Sequence, residues 1–291
     1  MHLRFIRIFA VCLALLLLVG CSAPAPVADV AATTAPVAQF ARIVADGTPV
    51  TVTQVISESV SCLHDYSLSV TQMKALEQSK LVLISGAGLE DFMADILAGK
   101  NVVECASGAD LLTLDGHHDH DGHDHGHYDP HLWLSPEYAK GMAENICAAL
   151  TAQYPEHTAL FRSNADRLLT RLDQLNAYGQ AALSDLRCRK LITFHDGFAY
   201  LAHAFDLEIL EAIEEESGSE ASAKELIQII SLVQEHDLPA VFTERNGSVS
   251  AASVICSETG VACYCMDMAM GEQDYFSAME ANINTLKEAL Q

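Results

Sequence analysis

The chain has 291 residues, half of them apolar, and its 16 Lys and Arg are outnumbered by 39 Asp and Glu, giving a formal charge of -23. That balance excludes nucleic acid as a partner, because phosphates demand Lys and Arg. It suits a protein that attracts cations or one that is simply soluble, and the length suffices for two ordinary domains of roughly 100 to 150 residues.

Arg4 and Arg7 precede an apolar run at residues 9–19, which is short for a bilayer span and ends in Leu18-Val19-Gly20-Cys21. Residues 1–20 read as an export signal. The small residue directly before Cys21 resembles a bacterial lipobox, in which the thiol is lipidated after cleavage. Cys21 is therefore the expected anchor to the cell membrane, and the body is expected outside the cytoplasm, in a periplasm or at a cell surface. A plain export signal or an uncleaved anchor is the alternative. Residues 21–36, rich in Ala and Pro with almost no charge, read as a flexible tether, and the mature body is expected to begin near Val37.

Residues 40–44, 50–56, 81–85 and 101–103 are short β-rich runs that alternate with helical patterns at 70–78 and 89–98. Helical periodicity then covers 136–150 and extends from Pro155 to about Arg187, interrupted by no glycine except Gly179. Strand-like runs at 191–194, 207–209, 240–243 and 262–266 follow, separated by helices at 222–236 and 250–259, and a last helix covers 275–290. The expected fold class is α/β, with an N-terminal lobe over 37–154, a linker helix over 155–188 and a C-terminal lobe over 189–291. Parallel sheets in both lobes would aim their strand C-termini at a shared crevice, the usual place for a ligand.

Inside the first lobe, loop 115–128 carries His117, His118, His120, His123, His125 and His127, with Asp119, Asp121 and Asp124 between them. A Gly/Asp/His tract cannot build a core, but its imidazoles bind transition ions. It reads as an accessory collector or buffer; a merely polar loop is the alternative.

Four further residues are candidate ligands. His64 lies in a loop-like segment after the run ending at Ile56. His131 sits between Pro130 and the apolar Leu132, Trp133 and Leu134, which should fix and bury it. His195 directly follows the strand-like 191–194, so it projects from a strand's C-terminal end. Asp267 ends the last strand-like run and would complete three nitrogens and one oxygen for a divalent ion. A surface histidine, a satisfied core histidine, a polar turn residue and a helix-capping Asp are the respective alternatives. His157, His203 and His236 read as ordinary helix-surface histidines, and Glu211 with Glu214, Glu215 and Glu216 as a solvated charge run.

Of nine cysteines, Cys12 leaves with the signal and Cys21 is assigned to lipid, so an odd number remain in the body and at least one is unpaired within the chain. If residues 261–267 form a strand, Cys263, Cys265 and Asp267 share a face, with residues two apart separated by roughly 6.5 Å. Cys265 then stands beside a bound ion, either behind its ligands or as an alternative soft ligand, and a disulfide between Cys256 and Cys263 is equally open.

His64-Asp65-Tyr66, Gly88-Leu89-Glu90, Asp129-Pro130-His131-Leu132-Trp133-Leu134-Ser135-Pro136, Phe194-His195-Asp196-Gly197-Phe198-Ala199-Tyr200 and the tail around Asp267 together resemble the metal-binding lipoproteins of bacterial zinc and manganese ABC importers. The resemblance covers essentially everything from about Phe40 to the C-terminus, and its most specific element is the octet ending at Pro136. It implies two α/β lobes joined by one rigid helix, an ion held in the cleft by His64, His131, His195 and Asp267, and an ABC permease with its ATPase as partners. It also implies a monomer that is not an enzyme. A histidine at position 195 and a long His-rich insertion resemble the zinc branch.

Three imidazoles and one carboxylate suit Zn(II), whereas Mn(II) favours more oxygen donors, so Zn(II) is the expected ligand and a manganese-importing relative the alternative. A secreted hydrolase would need an open coordination position and a general base; no His-Glu-x-x-His occurs, and four protein ligands close the site. A metal-buffering surface lipoprotein without a transporter would use the same residues.

Overall fold

The computed structural model describes residues 28–56, 66–113, 128–214, 222–245 and 249–291. They form two four-stranded sheets, entirely parallel, one before and one after a single long helix. Parallel neighbours cannot be joined by tight hairpins, so each pair of strands is linked through a crossover, as the alternating pattern requires.

The first sheet has the order β2-β1-β3-β4, with β1 (Val30–Ala32), β2 (Val52–Gln54), β3 (Leu81–Ile84) and β4 (Val102–Glu104). Its helices are α1 (Ala35–Ala45), α2 (Val70–Gln78), α3 (Ala94–Leu97) and α4 (Pro136–Gln153). Two expectations are corrected here. Val30, Ala31 and Ala32 lie fully buried in an interior strand, with Ala31 opposite both Thr53 and Val82, so the folded body starts well before Val37 and the tether cannot extend to residue 36. Residues 40–44 are not a strand but part of α1, whose Pro36 lies in the first turn and whose Val37, Phe40, Ala41 and Val44 form one buried stripe.

The second sheet has the order β6-β5-β7-β8, with β5 (Lys190–His195), β6 (Glu208–Glu214), β7 (Ala240–Glu244) and β8 (Ala262–Met266). Its helices are α6 (Ala199–Ala204), α7 (Ala223–Glu235), α8 (Val249–Thr259) and α9 (Tyr275–Leu290). Ser222 and Glu225 form a reciprocal capping box that starts α7. β6 is longer than expected and takes in Glu211 and Glu214, so these are not loop residues. An edge strand pairs on one side only and accommodates charge there.

The linker is α5 (Thr158–Ala182), preceded by a 3-10 turn at Pro155–His157, and is shorter than the expected 155–188. Phe161, Ala165, Leu168, Leu172, Leu175 and Gly179, at alternating steps of four and three, form its buried face together with Asn164. The Phe205 ring occupies the space where a side chain at position 179 would stand, so the glycine lets the C-terminal lobe close on the linker. Asn164 Nδ2 donates to Val44 O and Asp46 O, both at 2.9 Å, which ties α5 to the end of α1.

One apolar core runs through Val30, Leu83, Trp133, Leu168, Leu191, Phe242, Met266 and Ile283, and so spans both sheets and the linker. A second cluster, including Ile192, Phe194, Val241, Ile229 and Ile255, fills the opposite face of the second sheet beneath α7 and α8. Among the described residues no helix is long and apolar enough to cross a membrane.

Candidate metal centre

The octet is built as a rigid arm. Leu132–Leu134 form a fully buried 3-10 turn, and Pro136 opens α4 directly after Ser135. With its neighbours pinned in the core, His131 has little freedom and is 8% exposed. Asp129 is fully buried behind it, and its Oδ1 accepts from the His131 backbone N–H at 2.8 Å and pairs with ring Nδ1 at 2.7 Å. Facing a carboxylate, Nδ1 carries the proton, and Nε2 is left with the lone pair that a metal uses.

His195 is the last residue of β5 and is 4% exposed. Its ring meets that of His131 edge to face, with centroids 5.3 Å apart and planes at 83°. A ligating imidazole has its centroid about 3.2 Å from the ion, so two of them at a tetrahedral angle stand about 5.2 Å apart. The observed separation matches that spacing, which ordinary edge-to-face packing of two rings also gives. A Cβ on Gly197 would lie 2.6 Å from His195 Cδ2, 2.8 Å from its Nε2 and 2.7 Å from Met268 Cε. The absence of a side chain at 197 is therefore what lets His195 and Met268 pack as they do.

Asp267 follows the end of β8 and is 9% exposed. Asn282 on α9 clamps its backbone twice: Asp267 N donates to Asn282 Oδ1 at 2.8 Å, and Asn282 Nδ2 donates to Asp267 O at 2.7 Å. Asp267 Oδ1 accepts from Ala269 N at 2.8 Å in a turn where Ala269 has φ +57°, and Oδ2 accepts from Arg245 Nε at 2.8 Å. Trp133 Nε1 donates to Met268 O at 2.8 Å, and Tyr275 OH donates to Trp133 O at 2.7 Å. The segments bearing His131 and Asp267 are thus stitched together by Trp133.

The structure brings His131 and His195 together and places Asp267 on the segment beside them, its carboxylate engaged by Arg245. Among the described residues no group of three or more His, Cys, Asp or Glu side chains is gathered closely enough to hold an ion. His64, the tract residues His117, His118, His120, His123, His125 and His127, and Cys21 lie outside the described residues.

Cys263 and Cys265 are exposed while Asp267 is buried, because the chain leaves the strand after Met266; the shared face expected for the three does not reach Asp267. Cys265 Sγ donates weakly to Met266 O at 3.7 Å. Cys256 and Cys263 are free thiols whose side chains are hydrogen-bonded to each other, and burial, then the neighbouring Cys256, pushes the Cys263 thiol up to about 11.

The sequence reading did not single out Asp129, Arg245, Gly197 or Asn282 as functional residues. Asp129 and Gly197 stood in the quoted motifs without a role, and Asn282 left the trace of a polar residue on the buried face of α9. Glu90 is buried at the end of the first sheet, where its carboxylate accepts from Thr33 Oγ1 at 2.6 Å, Ser85 N at 2.8 Å and Gly86 N at 2.9 Å. Burial raises its pKa to about 7 against the downward pull of those three donors.

The chain is similar over 240 residues, at 29% identity, to a putative metal-binding protein of Treponema pallidum, covering 78% of this chain and 76% of that one. It is 27% identical over 252 residues to the zinc-binding protein AdcA of Streptococcus pyogenes serotype M3, covering 77% of this chain but only 49% of that protein, so it spans about half the length of such streptococcal relatives. A crystal structure of ZnuA superimposes with a TM-score of 0.81 at 26% identity, covering 91% of this chain and 99% of that one. With residues 30–289 matched throughout, the chain belongs to the family described as ZnuA, zinc-uptake complex component A, periplasmic.

Proposed function

We propose that this protein captures Zn(II) outside the cytoplasm and delivers it to an ABC permease and its ATPase. The observation that carries the reading is the buried His131–His195 pair, at the separation two imidazoles take around one tetrahedral ion, with Asp129 fixing the ligating nitrogen of His131. Family membership supports the same cargo. In this reading His64, His131, His195 and Asp267 displace the waters of the ion and close its coordination, which leaves no position for hydrolytic chemistry. Three neutral nitrogens and one carboxylate favour zinc over manganese. The protein acts as a monomeric carrier and not as an enzyme. Lipid on Cys21 holds it near its permease, and the six-histidine tract collects ions as an accessory.

The test is a chelator-competition titration of the full chain with Zn(II) and Mn(II), repeated after deleting residues 117–127 and again with His131→Ala. One tight zinc site that survives the deletion and is lost in His131→Ala supports the reading. Tight binding that disappears with the tract instead makes the protein a surface buffer, and preference for Mn(II) makes it a manganese carrier.

A further inference from the structure

Asp267 accepts a hydrogen bond on each carboxylate oxygen, one of them from a charged side chain. The last registered pair between β7 and β8 is Glu244 opposite Met266, and Arg245 N donates to Met266 O at 3.0 Å, so Arg245 and Asp267 are the next residues along neighbouring strands. Their side chains meet at 2.8 Å, with Arg245 Nε on Asp267 Oδ2. The other oxygen, Oδ1, is taken by Ala269 N–H. Both carboxylate oxygens therefore already accept hydrogen bonds, one of them from a full positive charge.

A divalent ion approaching this carboxylate finds lone pairs still open beside the two accepted hydrogen bonds, but meets the full positive charge of the guanidinium on the same group. The two partners differ in burial: the Asp267 side chain is 12% exposed and that of Arg245 is 61% exposed. A guanidinium so placed can leave for solvent without being desolvated elsewhere, and return without a large structural change. The carboxylate stays where Asn282 and Ala269 fix it.

We infer that Arg245 is a built-in competitor for the cargo ion: it neutralises Asp267 when no ion is bound, gives way on loading, and by holding affinity below its possible maximum keeps zinc releasable. This rests on the reading of Asp267 as a zinc ligand. Affinity for a cation that shares its site with a positive side chain is reciprocal, so whatever Arg245 gains from Asp267 is lost to the ion.

The test uses Zn(II) alone on the metal-free full chain, reading Kd by chelator competition and dissociation rate by stopped flow. Arg245→Met, which keeps the apolar stem and removes the charge, is expected to tighten zinc about tenfold, mostly through slower dissociation; Arg245→Lys, which keeps the charge, is expected to stay within about threefold of the parent. Arg245→Lys should melt like the parent by circular dichroism, and Arg245→Met, which gives up the ion pair to Asp267, slightly below it but still as a folded protein. In an Asp267→Asn background, Arg245→Met should no longer change affinity. Unchanged or weaker binding in Arg245→Met overturns the proposal, and so does equal tightening in both backgrounds, which would make Arg245 a diffuse charge rather than a competitor for Asp267. If tight binding persists in His131→Ala, the metal-site reading itself fails, whatever Arg245 does.

Discussion

Asp129 grips His131 at two points with one oxygen, taking the backbone N–H at 2.8 Å and the ring Nδ1 at 2.7 Å. A ligand fixed at both ends of its side chain loses little freedom when it binds an ion. Asp129→Asn can still accept from the backbone but no longer faces Nδ1 with a negative charge, so both tautomers become accessible. Zinc affinity is expected to fall by roughly 10- to 100-fold, the usual cost of removing a hydrogen-bonding partner behind a metal-ligating histidine. Competition titration checks this, and an unchanged Kd would refute the role given to Asp129.

Gly197→Ala should injure the site without replacing a ligand. The added methyl meets His195 Cδ2 at 2.6 Å and Met268 Cε at 2.7 Å, so the imidazole must rotate or the Met268 segment must shift. Overpacking of this kind costs about 1 to 3 kcal/mol, and here the displaced group is a candidate ligand. The expected signature is a zinc affinity reduced out of proportion to a modest drop in melting temperature. Calorimetric titration beside a thermal melt separates the two.

Glu90 should give the metal-free protein a pH-dependent stability. Its carboxyl is raised by burial from 4.5 to about 7 in the folded chain, so the folded state binds that proton more tightly than the unfolded one. The associated stability is fully present below about 4.5 and is lost as pH rises through about 7, a change on the order of 3 kcal/mol. Melting temperature is therefore expected to decline between pH 5 and 8 in the parent, and the decline should be shallower in Glu90→Gln. Parallel pH profiles for the two would show that another group sets the dependence.

Trp133→Phe removes the indole donor to Met268 O while keeping most of the ring. A buried carbonyl left without its partner costs about 1 to 3 kcal/mol. Because that bond joins the segment of His131 to the segment of Asp267, the variant should also lose zinc faster than the parent in stopped-flow exchange with a chelator. Equal dissociation rates would confine Trp133 to a packing role.

The α/β alternation and the long central helix were legible because apolar periodicity switches visibly between strand-like runs and steps of three and four. β1 was not, because Val30, Ala31 and Ala32 are small and merge with an Ala/Pro-rich stretch that has the composition of a linker; only pairing on both sides reveals a strand. Residues 40–44 show the known ambiguity of a short apolar run, which buried helices and buried strands share. His131 and His195 could be proposed from their neighbours. Asp129 stood in the octet, but its grip on the ring beside it shows only in the folded chain; Arg245 and Asn282 could not be proposed, since what they do depends on a bond to a distant partner: Asn282 is fifteen residues from Asp267, Arg245 is twenty-two, and nothing local marks either pairing.

The apolar core that continues from the first sheet through α5 into the second also limits how the cargo can leave. A jaw that swings open needs a thin, polar waist, and this molecule has Leu168, Leu172 and Gly179 packed at its waist instead. The two halves should therefore come apart only when the whole molecule does, giving one cooperative calorimetric transition that bound zinc shifts upward as a unit.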